Sequence, residues 1–473
     1  MTQTPHKASP PHKVTRPEDD WHEARLIPTT GIGGQEDQEQ RATSALLAVL
    51  HAVPEFGRAI LSTVGAPTGR INAYIEVRFP DETGTAPRPD GALVVEWGKK
   101  RWIALLEVKT GGAPLRADQV NLYLDIARTQ GFDAVITISN QITAAPDESP
   151  VKTKAPKGVA LRHLSWWQIA TEAHLQQAHP AVANLDRAWI LRELIAYLES
   201  GRSGTGGFDD MGPSWVAIRD AAHQKTLRLT TAGLGDVAAR WEQLVEFLAL
   251  ELTRDLGRRV TAVWPRELGV AGRLDRHAHS LVESGQFHAA LRVPDAVGPL
   301  ELTSDLWTRR LSTAVSVDAP STGKPKTRVA WLLRQLDDMP EPVRFEVHYP
   351  NVRDAVGCLL IDARAKPERL LLPGDPHREP RSFRLVLGRD LGLKRGSGRG
   401  SFVAESSEQT TDFYRSVVQR LRPWRAPAPT LPTPPEEVAG EGDRLDVQSS
   451  DTEGQGSPSS DGRDPDLGAQ LLG

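Results

Sequence analysis

The chain has 473 residues, more than one ordinary hydrophobic core holds, so two folded regions with tails are expected. Its single cysteine, Cys358, excludes an intramolecular disulfide, and the apolar run around it predicts a buried structural thiol. No apolar stretch approaches the length that spans a bilayer, and the N-terminus lacks the apolar run of a signal peptide. We therefore expect a cytoplasmic protein with no membrane partner.

The net charge of -4 is unevenly distributed along the chain. Residues 426–473 carry ten acidic residues and two arginines, which leaves a balance of +4 for the rest. That balance permits a nucleic-acid partner without requiring one, because phosphate binding depends on clustered Lys and Arg side chains.

Both ends of the chain are predicted to lack fixed structure. Residues 1–30 are polar and proline-rich, without helical or strand periodicity. Residues 426–473 combine Pro, Gly, Ser and Asp, and cannot bury enough apolar surface to offset the entropy of ordering. The sequence thus predicts a disordered N-terminal tail and a disordered acidic C-terminal tail.

The first folded region, residues 31–200, is predicted to be mixed α/β. Apolar residues recur every three to four positions in its helices and alternate in its strands. In chain order the prediction is a helix at 36–53, strands at 71–79, 91–97 and 101–110, a helix at 116–130, strands at 132–139 and 159–165, and a helix at 166–178. This order, αβββαββα, is typical of a mixed sheet with helices packed on it. One more helix is expected at 181–200.

The rest of the chain is predicted to form a second domain of unknown role. The glycine-rich residues 201–214 indicate a domain junction or an exposed loop. Residues 215–425 predict an α+β domain, with helices at 235–256, 328–336 and 409–421 and strands at 288–293, 311–317, 343–349 and 382–390. No pattern in this half indicates a chemistry by itself.

The residues that indicate a chemistry lie on either side of one predicted hairpin. A Pro-Asp step ends at Asp90, and the next strand carries Glu107 and Lys109. If Trp97 and Trp102 pair across the turn, Asp90 lies opposite Lys109 and Glu107 lies diagonally beside both. Two carboxylates and a lysine at an otherwise apolar strand end suit a hard divalent cation with a phosphate or water beside it.

This pattern resembles the PD-(D/E)xK nuclease superfamily, over residues 36–175. Downstream of the lysine, Gln119 and Tyr123 match the QxxxY helix of the RecB-type branch, and their i, i+4 spacing places both on one helix face. Upstream, the family often contributes a glutamate from its first helix. Glu39 lies on the apolar face of that helix, and Glu36 is the alternative.

The resemblance implies a restriction-endonuclease-like core that hydrolyses DNA with Mg²⁺ or Mn²⁺. It implies catalytic roles for the residues that match the motifs, with the metal held by the three carboxylates. The catalytic set is Asp90, Glu107, Lys109, Gln119 and Tyr123, and the metal set is Asp90, Glu107 and Glu39.

Two other interpretations stay open. E-x-K is common on exposed strands, so the three charges can be a solvated salt-bridge cluster in a structural or interaction protein. The fold can also be an inactive nuclease-like module that binds nucleic acid or protein in stress or defence. The sequence does not distinguish DNA from RNA or internal from end attack, and it does not fix the oligomeric state.

A second basic segment could contact phosphates. Lys394, Arg395 and Arg399 are spaced by glycines, although a flexible solvated loop explains them as well. His163 and the Trp166-Trp167 pair follow an apolar strand at a helix start, so packing roles are expected for them.

Overall fold

The computed structural model describes residues 22–23, 35–79, 88–143, 147–178, 182–265, 267–336 and 342–426. The described residues up to Ala426 belong to one compact unit. The predicted acidic tail lies outside the described residues from Pro427 onward, as do residues 1–21 and 24–34 of the N-terminal part.

The first region contains a mixed sheet covered by helices. Its elements are β1 (His22–Glu23), α1 (Gln35–Ala52), α2 (Pro54–Thr63), β2 (Arg70–Ile75), β3 (Gly91–Trp97), β4 (Lys100–Val108), α3 (Ala117–Gln130), β5 (Ala134–Ser139), β6 (Ala160–Ser165), α4 (Trp166–Ala178) and α5 (Leu185–Glu199). The described strands lie in chain order across the sheet, antiparallel from β1 to β4 and parallel from β4 to β6. The predicted mixed α/β class is confirmed.

Helices cover both faces of this sheet, so its central strands are apolar on both sides. Val120 and Leu124 of α3 pack on the face that carries Val94 and Leu105. Helices α1, α2, α4 and α5 pack on the other face, against side chains such as Leu106. The run of buried residues in β3 and β4 follows from this double cover.

The β3–β4 hairpin closes through a shorter turn than expected. Trp97 pairs with Lys100 and Val95 with Trp102, so the expected Trp97–Trp102 pairing is wrong by two residues. The connection is a two-residue turn in which Gly98 has a φ of +61°, a conformation that favours glycine.

The shift changes which site residues oppose each other. Because Gly91 pairs with Leu106, the same register places Asp90 opposite Glu107 rather than opposite Lys109. A shift of two residues leaves every side chain on its original face, since strand side chains alternate with period two. The predicted grouping therefore survives the error in register.

Three predictions for the first region need correction. The N-terminal thirty residues contain one paired segment, because His22–Glu23 binds the edge of β2. Helix α2 was not predicted: it begins at Pro54, and proline fits the first turn of a helix. Strand β2 ends at Ile75 instead of residue 79, because Glu76 has a φ of +50° and interrupts the extended backbone.

The second region contains an antiparallel sheet with a helical layer, as an α+β prediction requires. Its elements are α6 (Trp215–His223), α7 (Leu234–Leu256), β7 (Thr261–Ala262), α8 (Val270–Ser284), β8 (Gln286–Arg292), β9 (Leu300–Asp305), β10 (Arg310–Asp318), α9 (Pro325–Leu333), β11 (Val343–His348), β12 (Val356–Leu359), α10 (Leu360–Ala365), β13 (Ser382–Asp390) and α11 (Phe402–Ser416). The described strands have the order β12-β11-β13-β10-β9-β8-β7. Cys358 in β12 is partly buried and packs against the core of this region, so the expected burial of the thiol is found only in part.

The glycine-rich segment between the regions is packed rather than exposed along much of its length. The Gly204 carbonyl accepts hydrogen bonds from the Gly111 amide at 2.7 Å and from Asn140 at 2.8 Å. Phe208 and Met211 are buried in the core of the second region. This segment therefore connects the chain beside Lys109 to the second core, and it combines exposed positions such as Asp209 and Asp210 with buried ones.

Within the described ranges, no single helix has the length and apolar content to cross a membrane. Residues 38–52 and 54–63 pass that test only as a pair, with a bend of 111° between them.

Candidate active site

The loop before β3 holds Asp90 against the end of β4. The Val108 amide donates a hydrogen bond to Asp90 Oδ2 at 2.7 Å, and the Asp90 amide donates to the Leu106 carbonyl at 3.1 Å. The carboxylate is thus fixed on the backbone of the strand that carries Glu107 and Lys109. Asp90 and the Glu107–Lys109 pair therefore lie together at one end of the β3–β4 hairpin.

Lys109, the residue that follows β4, contacts both the glutamate of that strand and the glutamate of the first helix. Its Nζ lies 2.8 Å from Glu107 Oε1 and 3.2 Å from Glu39 Oε2. The Glu107 side chain is 0% exposed, and those of Lys109 and Glu39 are each 16% exposed. Glu39 therefore points inward, as its place on the apolar helix face predicted. The side chain of Glu36 lies outside the described residues.

The two predicted residues of α3 hold the site from the opposite helical layer. Gln119 Nε2 donates to Glu107 Oε2 at 2.9 Å and to the Tyr123 hydroxyl at 3.1 Å. The Tyr123 hydroxyl donates in turn to the Arg88 carbonyl at 3.0 Å. Gln119 therefore orients one carboxylate, and Tyr123 fixes the loop that carries Asp90.

Burial makes the carboxyl pair hard to ionise. Desolvation, and next the charge of Asp90, raise the pKa of Glu107 to about 8. Desolvation also raises the pKa of Asp90, although the charge of Lys109 opposes it. Burial acts to lower the pKa of Lys109, but its hydrogen bond to Glu107 and the nearby carboxylates outweigh that effect and raise it. Near neutral pH the acid pair thus retains a proton, which a cation could replace.

We expect the metal-free protein to lose stability as the pH rises from about 4.5 to about 8. The pKa of Glu107 is about 8 when folded and 4.5 as its ordinary value, so in this window the folded chain binds a proton that the unfolded chain has released. Each pH unit then costs up to about 1.4 kcal/mol. Denaturant unfolding in EDTA at pH 5, 6.5 and 8 measures this slope.

The Glu107→Gln variant should have a flatter profile, with a remaining slope from Asp90, whose pKa burial also raises, and from Glu246, whose pKa burial raises to about 7. Glu193→Gln changes an exposed glutamate of α5 and should keep the wild-type profile. Equal slopes in wild type and Glu107→Gln would contradict the assignment of the retained proton.

A cleft of about 530 Å³ opens beside these groups. Glu39, Asp90 and Lys109 line it, together with Arg78 and Arg88, which sequence analysis did not identify. Both arginines are exposed, and within the described part of the chain their side chains have no hydrogen bond or ion pair. Two unpaired cations therefore stand at the mouth of a cleft whose floor is acidic.

Glu76 is a further cleft residue without a sequence signal. Its carboxylate accepts a hydrogen bond from Gln40 of α1, and its amide donates to the Asp90 carbonyl at 3.3 Å. Its positive φ costs backbone free energy that neighbouring contacts must offset. Glu76 thereby fixes the backbone at Asp90 from the side opposite Tyr123.

The donor set fits a divalent cation in part. Asp90 and Glu107 supply two adjacent carboxylates, and Mg²⁺ is commonly held by one or two carboxylates while it keeps several waters. Among the described residues, no group of three or more His, Cys, Asp or Glu side chains is arranged to hold a metal. Lys109 lies between Glu39 and Glu107 and pairs with both, so the role of Glu39 as a third ligand stays a prediction.

We expect Tyr123→Phe to fold and to weaken the positioning of Asp90. The change removes the hydroxyl bond to the Arg88 carbonyl, which is worth about 1 kcal/mol. If this hydrogen bond positions Asp90 for a reaction at this site, the rate of that reaction should fall on the order of fivefold, chiefly through kcat. The matched control is Tyr414→Phe, which changes a half-buried tyrosine of α11. Unchanged kinetics in Tyr123→Phe would contradict the positioning role.

The other residues singled out by sequence analysis have packing roles or lie in another region. His163 is buried, its ring nitrogens lie 2.9 Å from Thr137 Oγ1 and 2.8 Å from the Gln141 carbonyl, and burial lowers its pKa to about 4. Trp166 is buried and donates its indole N–H to the Lys109 carbonyl at 2.9 Å. The Trp167 ring packs against Phe247 of the second region, with the ring centroids 5.2 Å apart and the planes tilted by 35°. Their predicted structural roles are confirmed.

The predicted basic segment is separate from the cluster of Asp90, Glu107 and Lys109. Lys394, Arg395 and Arg399 are exposed in the connection between β13 and α11. Lys394 and Arg395 line a small pocket with Asp210 and Trp215, and neither lines the cleft that holds Lys109.

Comparisons with known proteins find no matching family model, no matching curated protein and no matching solved structure. The chemistry of this site therefore has to be inferred from its own residues.

Proposed function

We propose that this chain is a nuclease that hydrolyses phosphodiester bonds of DNA with Mg²⁺ or Mn²⁺, on a restriction-endonuclease-like core. The observation that carries the proposal is the convergence of Asp90, Glu107 and Lys109, of which Asp90 and Lys109 line an open cleft and Glu107 is fully buried beside Lys109. An acid pair with raised pKa values beside a lysine is expensive to bury, and such perturbed groups cluster at functional sites.

The fold supports the proposal through the order of its elements. A first helix, an antiparallel three-strand unit, a helix and two parallel strands follow each other as in the resembled superfamily. The additional α2 packs beside α1 and does not interrupt the strand order.

Each residue of the site would have a distinct role in hydrolysis. Asp90 and Glu107 would hold the cation, which when bound supplies an acidified water and stabilises charge on the phosphoryl oxygens. Lys109 orients the attacking water or neutralises the phosphate in the transition state. Gln119 and Tyr123 keep the acid pair in place through their hydrogen bonds.

The two arginines at the cleft mouth suit a polyanionic substrate. Arg78 and Arg88 are free to contact phosphates on either side of the scissile bond, and guanidinium groups bind phosphate in bidentate geometry. They also offset the acidic floor, which alone would repel DNA.

One observation favours the alternative of an inactive binding module. Lys109 already neutralises Glu107 and Glu39, so the cluster is electrostatically satisfied in part without a metal. In that case the arginines would bind nucleic acid and no bond would be cleaved.

The deciding experiment is digestion of linear, circular and single-stranded DNA, and of RNA, with Mg²⁺, Mn²⁺ or EDTA. We expect metal-dependent cleavage of DNA by the wild-type protein and none by Asp90→Asn. Binding of DNA without cleavage in either metal would support the module instead, and absence of both would reject the nucleic-acid function.

A further inference from the structure

A second polar cavity, of about 480 Å³, lies in the other region of the chain, between α8 and the face of the second sheet. Arg273, Arg276, His277 and Ser280 of α8 line it. Their spacing of three, one and three residues places them on one face of the helix. A helix that packs on a sheet normally presents apolar side chains there. The apolar side of α8, with Leu281, instead joins the core, which leaves a polar stripe over the cavity.

The sheet side of the cavity is also polar. His288 of β8 pairs with Thr303 of β9, and its Nδ1 lies 3.3 Å from Thr303 Oγ1. Two residues further along, Ala290 opposes Glu301, so both pairs lie on the same face. Arg384 of β13 reaches across β10 and donates to Glu301 Oε2 at 2.9 Å.

Some of the cations around the cavity are neutralised. Arg273 pairs with Glu242 and Glu148, both at 2.9 Å. His277 also faces Glu242, at 3.4 Å. Arg384 is matched by Glu301, the acidic side chain of the lining.

Two basic side chains of the lining, Arg276 and His288, have no acidic partner of this kind. The Arg276 side chain is exposed and, among the described residues, has no hydrogen bond or ion pair. His288 is exposed as well. Although the His288 side chain reaches solvent, partial desolvation, and then the neighbouring His277, Arg276 and Arg384, lower its pKa, because these basic groups surround the imidazole. An anion in the cavity would relieve the repulsion among them.

We propose that this cavity binds a phosphate group, held by Arg276 and His288 with the hydroxyl of Thr303, while the Ser280 hydroxyl donates to the Gln286 carbonyl at 2.8 Å. The donors on both walls suit a tetrahedral dianion with several acceptor oxygens. The volume lies within the range of small-molecule sites, so the phosphate of a small organic ester fits. The site does not depend on the nuclease activity proposed above, because no residue of the first cleft lines it.

Binding is measured on the full chain with inorganic phosphate as the probe, in buffers of equal ionic strength, by thermal shift and calorimetry. Wild type should bind phosphate and melt at a higher temperature with it. Arg276→Gln and His288→Ala should each raise the Kd about tenfold, as the loss of a charge-assisted hydrogen bond does.

Two variants outside the cavity serve as matched controls. Arg292→Gln changes an exposed arginine of the same strand as His288, and His279→Ala changes a histidine of α8 that does not line the cavity. Both should bind phosphate as wild type does. No phosphate-dependent shift in wild type, or an equal loss in Arg292→Gln and Arg276→Gln, overturns the proposal.

The source of the phosphate is distinguished by a second probe, a short duplex DNA at low salt. If Arg276→Gln weakens phosphate and duplex binding alike, the cavity holds a backbone phosphate of nucleic acid. If only inorganic phosphate is affected, the cavity serves a free phosphate compound. Either result supports the site, and both can be measured when the first cleft cleaves nothing.

Discussion

Replacing Lys109 by methionine is expected to reduce DNA cleavage by on the order of 10² to 10³, the usual effect of losing one positioned electrostatic group. The ammonium lies 2.8 Å from Glu107, at the floor of the cleft, where a phosphate would approach. Methionine keeps the apolar stem and removes the charge, so the effect on packing is small. Initial rates of digestion with saturating Mn²⁺ measure the loss.

The melting temperature of Lys109→Met should depend on pH, and this dependence distinguishes the effect of the lost charge from an effect on packing. Without Lys109, Glu107 is a buried carboxylate with no cation beside it, and removing one partner of a buried ion pair is strongly destabilising. Below pH 7 the carboxyl can remain protonated, since its pKa is already about 8, so melting should change little there. Above pH 8 the variant should melt well below wild type.

The matched control is Lys99→Met, in the turn at the other end of the same hairpin, where the lysine is exposed. It should cut DNA and melt like wild type. If Lys109→Met cleaves at the wild-type rate, Lys109 has no catalytic role and the proposed site is wrong.

Local pattern was sufficient to predict most elements of the first region. Strand β3 has the predicted bounds, and α4 begins and ends at the predicted residues. These elements have strong periodicity and clear boundaries. Helices that begin at a proline were missed or predicted to start too late. Helix α2 starts at Pro54 and α9 at Pro325. Proline in a sequence usually indicates the end of a helix, although it also fits the first turn.

The site was predictable where residues are linked by one element or one hairpin. Gln119 and Tyr123 share a helix face, and their hydrogen bond at 3.1 Å follows from i, i+4 spacing. Glu107 lies in β4 and Lys109 follows the last residue of that strand, and both stayed on the same face when the hairpin register moved by two residues. Helical periodicity also predicted that Glu39 points inward, but it did not predict that the Lys109 side chain would lie next to it.

Residues brought in by long-range packing had no such signal. Arg78 and Arg88 lie outside regular structure, so no periodicity assigns their direction. Nothing in the sequence pairs Glu148 of the first region with Arg273 of α8, an ion pair at 2.9 Å that joins the two regions. Such contacts depend on how complete layers pack, which local pattern does not encode.

Adding a divalent cation is expected to raise the melting temperature of the wild-type protein by a few degrees and to leave Asp90→Asn almost unchanged. A cation that binds only the folded site stabilises it by about 2.7 kcal/mol at a hundredfold excess over Kd. In a folded unit of this size, that free energy corresponds to a small but measurable thermal shift. Differential scanning fluorimetry in EDTA, and then in millimolar Mn²⁺, measures it.

The Asp90→Asn variant removes charge while it can keep the local structure. Its side-chain oxygen can still accept the hydrogen bond that the Val108 amide donates to Asp90 Oδ2 at 2.7 Å. The charge of Asp90 helps to raise the pKa of Glu107, so its loss relieves repulsion in the metal-free protein. The variant should therefore melt at or above the wild-type temperature in EDTA, most clearly near pH 8.

Asp125→Asn is the control, because Asp125 is an exposed carboxylate of α3. It should show the same metal-dependent shift as wild type, since it removes an equal charge away from the cleft. A wild-type protein that does not respond to Mn²⁺ or Mg²⁺, or an Asp90→Asn variant that responds equally, would mean that Asp90 and Glu107 hold no metal. The acid pair would then be a protonated structural cluster beneath two arginines, and the nucleic-acid-binding module would be the better account of the cleft.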